Sequence, residues 1–149
     1  MSDRLVGSEM CIRDSLVTNP SPHLMTNVST LICVDTGPEI ITGSTRMKAG
    51  TATKMVLNMI STTTMIKLGK VYGNLMVDLM AVNRKLIDRG TRIIMQLTGL
   101  NYDAANKLLE EADRSVKLAL VMQHNQCDLE DGKKILENAD GFLNRVLKK

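Results

Sequence analysis

The pattern of apolar and polar positions predicts two short strands before a mostly helical chain. Apolar and β-branched residues cluster at 16–18 and 30–35, and a turn containing proline closes each cluster. Proline cannot donate a hydrogen bond within a sheet, so each cluster is predicted to be a short buried strand that ends at its turn. The segment between the clusters, about a dozen residues, is long enough for parallel pairing at the edge of a sheet.

Helical periodicity begins after residue 44. Ala52, Met55, Val56 and Met59 follow the i, i+3, i+4 spacing of an amphipathic helix, and the run continues to Gly69, which is predicted to end it. This helix is apolar over more than one stripe, so we expect it to be buried on two sides.

A second long helical region is predicted from Val77 to Gly99, after a break at residues 72–74. Gly90 lies inside this region, and glycine is a poor helix former, so we expect a kink or a weak point there. The charged residues between positions 83 and 92 form a polar face whose ordinary explanation is solvation.

The last third of the chain contains an internal repeat with a shift of 27 residues. Residues 101–113 align with residues 128–140, and each copy begins with an Asn or Asp of the type that caps helices. Each copy is predicted to be a helical hairpin, over residues 101–122 and 128–149. Neither hairpin is large enough to fold alone, so we expect the two to pack on each other and on the preceding helix.

Composition narrows the classes of function. The chain has 149 residues, a net charge of +3, three aromatic residues, three cysteines and two histidines. This composition argues against base stacking on nucleic acid, a disulfide framework and a zinc site. Because no stretch of about eighteen apolar residues occurs, no membrane span is predicted. We expect a cytoplasmic protein with no cofactor and no metal.

The first fifteen residues have neither an apolar signal core nor a helical period. They are similar to a translated sequencing-adaptor scar, and we expect residues 1–15 to be a non-native leader. The fold is therefore argued from residue 16 onwards.

The segment 37–54, GPEIITGSTRMKAGTATK, carries the candidate chemistry because it gathers glycines, hydroxyls and cations in front of a helix. Backbone N–H groups at a helix start carry partial positive charge and can hold a phosphate. The segment fits neither a Walker loop nor a dinucleotide-binding fingerprint. We predict a sugar-phosphate site whose candidate ligands are Glu39, Ser44, Thr45, Arg46 and Lys48. The alternative is an ordinary turn, with a capping hydroxyl and solvated cations.

The same segment resembles the signature of the N-acetylmuramic acid 6-phosphate etherases, and of the related glucokinase regulatory protein, and the resemblance extends over residues 16–149. It implies an α/β fold. Residues 16–73 would be the C-terminal part of a parallel-sheet, flavodoxin-like sugar-isomerase (SIS) domain, and residues 74–149 a small all-α, ubiquitin-associated-like helical tail. The chain would then correspond to the C-terminal half or less of a family member.

The resemblance also implies an activity. Family members are carbon–oxygen lyases of amino sugar and peptidoglycan recycling, which convert N-acetylmuramic acid 6-phosphate into N-acetylglucosamine 6-phosphate and D-lactate. The carboxylates that act as acid and base in the family lie upstream of this chain, so no catalytic residue is assigned and the chain alone is expected to be inactive. The implied partners are a sugar-phosphate substrate and, in the full-length parent, a second identical subunit, but neither nucleic acid nor membrane.

Two other functions stay open from the sequence. One is a non-catalytic regulatory protein that senses a sugar phosphate, and the other is an interaction module built on the helical tail. Within the site, Ser44 and Thr45 are the preferred ligand contacts. Arg46 and Lys48 are predicted to point to different sides of the helix, so at most one faces the pocket. Glu39 either contacts the sugar or favours the helix N-terminus by its charge.

Overall fold

The computed structural model describes residues 14–19 and 28–147, which contain four short strands and six helices in two compact units. One unit ends at Ser61 and the other begins at Thr62, so the boundary falls within the first helix, α1 (Lys48–Lys67). The expected leader, residues 1–15, lies outside the described residues except for its last two positions. The last two residues of the second predicted hairpin also lie outside them.

The first unit contains a pair of parallel strands. β1 (Asp14–Val17) pairs with β2 (Thr30–Cys33), with Asp14 opposite Thr30 and Val17 opposite Cys33. The predicted parallel pairing is confirmed. The predicted burial of the strands is not, because this sheet has only two strands among the described residues, and Leu31 remains 36% exposed.

Helix α1 follows the predicted helical period and reaches Lys67, and Gly69 then adopts a positive φ of 69°. The predicted end of this helix is confirmed. The expected burial on two sides is not found, because Ala49 is the only buried residue of α1. Large apolar side chains of α1 and the residue after it are 47–59% exposed: Met55, Leu57, Met59, Ile60, Met65, Ile66 and Leu68. Within residues 14–19 and 28–147, no helix is both long and apolar enough to cross a bilayer.

The second unit begins its own fold with a short hairpin and an extended segment. β3 (Val71–Tyr72) pairs antiparallel with β4 (Leu75–Met76). The predicted helical region from Val77 is wrong at its start, because burial alternates there: Val77, Leu79 and Ala81 are buried and the residues between them are exposed. The N–H of Ala81 donates to the carbonyl of Arg114 at 3.1 Å, which fixes the segment as extended chain.

Helix α2 (Arg84–Thr98) begins where Asn83 accepts a hydrogen bond from the N–H of Leu86 at 3.0 Å, and its C-cap is Gly99. The helix runs without interruption through Gly90, contrary to the expected kink. A Cβ on Gly90 would lie 3.0 Å from Cγ2 of Val116 and 3.2 Å from Cδ2 of Leu109. Glycine at this position therefore permits close packing between helices.

The repeat is confirmed at the turn inside each hairpin. The first copy contains α3 (Tyr102–Glu111) and α4 (Val116–Asn125), and the second contains α5 (Leu129–Asn138) and α6 (Leu143–Val146). The N–H of Arg114 donates to the carbonyl of Leu109 at 2.9 Å, and that of Gly141 donates to Leu136 at 2.9 Å, one repeat later. Asp113 and Asp140 have φ values of 53° and 52°.

The core of the second unit lies between α2, α3 and α4, with a buried lysine at its side. The Nζ of Lys117, a side chain 9% exposed, is 3.2 Å from Oδ1 of Asp78 and donates to the carbonyl of Gly141 at 3.0 Å. Lys70 also binds the carboxylate of Asp78. Burial raises the pKa of Asp78, but the hydrogen bonds from Lys70 and Lys117 outweigh it, and the net pKa is lowered. The largest fully buried apolar side chains are Val77, Ile94, Leu109, Val116, Leu120 and Val121.

Candidate functional site

A cleft of about 470 Å³ lies in the first unit, where the chain leaves both parallel strands. Carboxyl ends of parallel strands meet at one edge of a sheet, and ligands commonly bind at that edge. The loop that precedes α1 forms the rest of the wall. The lining residues are Thr18, Asn19, Asp35, Thr36, Gly37, Pro38, Glu39, Thr42, Gly43, Thr45 and Ala49.

The lining side chains are polar and, on balance, acidic. Four threonines and Asn19 supply hydroxyl and amide groups, while Asp35 and Glu39 supply two carboxylates. Among the described residues that line this cleft, none is Lys, Arg or His. A phosphate beside two carboxylates would be repelled, whereas hydroxyl and acetamido groups could hydrogen-bond to them. The cleft is therefore suited to the uncharged part of a sugar.

Glu39 lies at the start of α1 and binds its backbone. Its Oε2 accepts the N–H of Lys48 at 3.1 Å, and its Oε1 accepts the N–H of Ala49 at 3.0 Å. These hydrogen bonds, first from Ala49 and then from Lys48, hold the pKa of Glu39 below its ordinary value of 4.5, although burial acts the other way. Of the two roles left open by the sequence, the observed geometry is that of a carboxylate at a helix N-terminus.

The other donors at the start of α1 are also in use. The N–H of Gly50 donates to the carbonyl of Thr45 at 3.1 Å, and the N–H of Thr51 donates to Met47 at 3.0 Å. With Lys48 and Ala49 bound to Glu39, all four N–H groups of the first turn have acceptors. The expectation that free amides await a phosphate here is therefore corrected: an internal carboxylate and two carbonyls already hold them.

The sequence-predicted site residues fall into two groups. Glu39 and Thr45 line the cleft, whereas Ser44, Arg46 and Lys48 do not. The Nζ of Lys48 instead donates to the carbonyl of Pro38 at 2.9 Å. Arg46 is exposed, and it precedes the helix rather than lying within it. The expected contrast between two helical cations therefore does not arise.

Sequence reasoning missed the residues at the strand ends. Thr18 and Asn19 follow β1, and Asp35 and Thr36 lie just beyond β2, where the N–H of Thr36 donates to the carbonyl of Thr18 at 3.4 Å. The available signal was their position, because polar residues directly after two parallel strands come together at one edge. In the part of the chain that the structure describes, no group of three or more His, Cys, Asp or Glu side chains is placed to hold a metal ion.

Comparison with known proteins gives consistent relatives. The chain is 47% identical over 138 residues to the N-acetylmuramic acid 6-phosphate etherase of Clostridioides difficile, which covers 93% of this chain and 45% of that protein. It is 54% identical over 114 residues to the etherase of Bacillus mycoides, covering 76% of this chain and 39% of that protein. The etherase of Geobacillus thermodenitrificans is 45% identical over 133 residues.

No protein-family model matches the chain. The chain spans less than half the length of the curated relatives that it matches, 39–45% in these three. Identity at this level over most of the chain nevertheless shows common descent. Over the segment that it represents, the chain belongs to the N-acetylmuramic acid 6-phosphate etherase family.

Proposed function

We propose that the chain is part of a carbon–oxygen lyase that cleaves the D-lactyl ether of N-acetylmuramic acid 6-phosphate in cell-wall amino sugar recycling. The observation that carries this proposal is 45–54% identity to proteins of that name over 76–93% of the chain. The products would be N-acetylglucosamine 6-phosphate and D-lactate. The whole protein would be a cytoplasmic homodimer, as the family resemblance implies.

The architecture supports an assignment of domains within this proposal. Residues 16–73 would be the C-terminal part of a SIS domain, for which the parallel pair β1–β2 followed by α1 is suitable. Residues 74–149 would be the ubiquitin-associated-like tail, with its two hairpins. Such a shape carries no ubiquitin-binding function by itself.

The cleft supports a division of labour in substrate binding. Thr45 would contact the sugar within the cleft, and Ser44 lies beside it on the loop. Arg46 would be the cation for the phosphate, because Lys48 already binds Pro38. The elimination needs a base for a carbon-bound proton and an acid for the departing ether oxygen. Residues from the rest of the longer protein would supply both, so this chain alone would release no lactate.

A chimaera tests the proposed function. The aligned segment of the Clostridioides difficile etherase would be replaced by the corresponding 138 residues of this chain, and lactate release from N-acetylmuramic acid 6-phosphate would be measured. We expect turnover within about tenfold of the parent enzyme, a loss of about 1.4 kcal/mol in transition-state stabilisation. Substrate binding without lactate release would favour the regulatory alternative and contradict the proposal.

A further inference from the structure

The loop before α1 is closed by two reciprocal contacts. The carboxylate of Glu39 binds the N–H groups of Lys48 and Ala49, while the Nζ of Lys48 binds the carbonyl of Pro38. We call these contacts the loop clasp. They tie residues 38 and 39 to residues 48 and 49, so both ends of the loop 40–47 are held at one point.

The loop between these ends carries part of the cleft wall. Thr42, Gly43 and Thr45 line the cleft from this loop. Inside the loop, the N–H of Ser44 donates to the carbonyl of Ile41 at 3.0 Å, and Gly43 has a φ of 83°. These are local turn contacts. The side chain that connects the loop's beginning to α1 is Glu39.

Most of the loop lacks the burial that could hold it otherwise. Ile40 and Ile41 are 81% and 71% exposed, and Met47 is 64% exposed. A loop with so little apolar burial opens easily unless hydrogen bonds fix its ends. The loop clasp is therefore the main described restraint on where Thr42 and Thr45 stand.

We infer that Glu39 is a positioning residue, whose carboxylate holds the substrate-binding loop 40–47 against the start of α1 instead of binding the substrate phosphate or transferring a proton. Both carboxylate oxygens are engaged by backbone donors of α1. Charge-assisted hydrogen bonds of this kind fix geometry as well as adding stability. The consequence for catalysis rests on the proposed function, whereas the restraint on the loop does not.

Limited digestion with trypsin tests the restraint on the chain itself. The bond after Arg46 lies inside the loop, and its cleavage requires the loop to open. Glu39→Gln removes the charge while keeping the side chain's length, and we expect cleavage there to become about fivefold faster, as for loss of a capping side chain. Cleavage after Lys133, within α5, reports on general unfolding, and Glu137→Gln removes an exposed carboxylate from the same helix as the matched control.

Equal cleavage rates after Arg46 in the wild-type and Glu39→Gln chains would overturn the inference. If Glu39→Gln also accelerates cleavage after Lys133, the shorter but still charged Glu39→Asp variant gives the comparison. Slower loop cleavage in Glu39→Asp than in Glu39→Gln is expected, because Asp still offers an anion to the amides of α1. Equal loop cleavage in these two variants would count against the inference.

Kinetics of the chimaera then separate positioning from catalysis. With Glu39→Gln, KM is expected to rise about fivefold because the binding-competent loop is populated less often. The kcat should stay within about twofold, since the reacting groups are untouched. A fall in kcat of about a hundredfold or more at unchanged KM would show that Glu39 acts on the reacting atoms. An inactive wild-type chimaera would contradict the proposed function and leave the digestion result valid.

Discussion

At the scale of single residues, the carboxylate of Glu39 has a pH response whose direction is fixed by its hydrogen bonds. The N–H groups of Ala49 and Lys48 favour its charged form and lower its pKa below 4.5. An acid with a depressed pKa in the folded state stabilises that state above its ordinary pKa, and this contribution is lost as the pH falls through the lowered value. The neighbouring charged groups are Asp35, which lines the same cleft, and Lys48.

We therefore expect the loop clasp to release in acid. The amide proton shifts of Lys48 and Ala49, followed by NMR as a function of pH, should titrate with a midpoint below 4.5. The same shifts should lose this titration in Glu39→Gln. A midpoint at or above the ordinary value would show that the amides do not stabilise the carboxylate.

Lys117 offers a second prediction at this scale, in the second unit. Lys117→Met keeps an unbranched apolar stem but removes the ammonium that binds Asp78 and Gly141. We expect the free energy of unfolding to fall by about 1–3 kcal/mol, because the carbonyl of Gly141 loses a charged donor in a partly buried place. Urea unfolding followed by circular dichroism measures the change.

The control is Lys107→Met, since Lys107 pairs with Glu111 at the surface and its side chain is 79% exposed. A surface pair of this kind contributes about 0–1 kcal/mol, so the control should change stability little. Equal effects of the two substitutions would mean that the buried position of Lys117 is unimportant.

At the scale of secondary-structure elements, the repeated hairpin turn places Arg114 where the second copy has Gly141. Both residues have a positive φ, 59° and 76°. The left-handed conformation costs a non-glycine residue about 1–2 kcal/mol, and glycine adds about 1 kcal/mol of freedom to the unfolded chain. Arg114→Gly is therefore expected to stabilise the second unit by about 0.5 kcal/mol.

The reverse change provides the comparison for Arg114→Gly. Gly141→Ala should destabilise by about 1 kcal/mol, because alanine would take on the same left-handed conformation. Thermal unfolding of both variants, compared with the wild-type chain, measures the two effects. Destabilisation by Arg114→Gly would indicate that its ion pair with Glu110, at 3.1 Å, contributes more than exposed pairs normally do.

Elements were predictable where a local period and a cap agreed. Asn101 and Asp128 were expected as N-caps, and each accepts a hydrogen bond from an amide three residues later. The segment from Val77 was not, because three apolar residues at i, i+3 and i+4 also fit an alternating pattern. The decisive contact, between Ala81 and Arg114, joins distant parts of the chain. A local pattern cannot register such a contact.

The candidate site was predictable in its location more than in its geometry. The segment 37–54 drew attention to Glu39 and Thr45, which do line a cleft. The sequence could not show that Glu39 would reach amides nine and ten residues ahead, because that depends on the path of the loop. The strand-end residues were missed for a similar reason, since their proximity arises only when β1 and β2 pair.

At the scale of the whole molecule, the exposed apolar surface of α1 should control association. Met55, Met59 and Ile66 share one side of the helix by their spacing and are 51–59% exposed. Apolar area of this kind favours self-association. We expect the wild-type chain to form larger species as its concentration rises, measured by sedimentation velocity, and Met55→Lys with Met59→Lys to remain monomeric at the same concentrations.

A matched control separates the effect of position from that of added charge. Asn58→Lys with Ser61→Lys adds the same two charges to exposed positions on another side of α1. This variant should still associate more than the variant with both methionines replaced. Equal behaviour would mean that net charge, and not the apolar stripe, controls association.

The exposed side of α1 also affects how long such a chain would persist in a living cell. Apolar residues left accessible on an otherwise folded polypeptide are a feature by which holdase chaperones and quality-control proteases distinguish unfinished proteins from finished ones. Met55 and Met59 would remain accessible even after the helices of the second unit had packed. Turnover of this polypeptide would then depend on how soon another surface covers them, whatever the stability of its helical core.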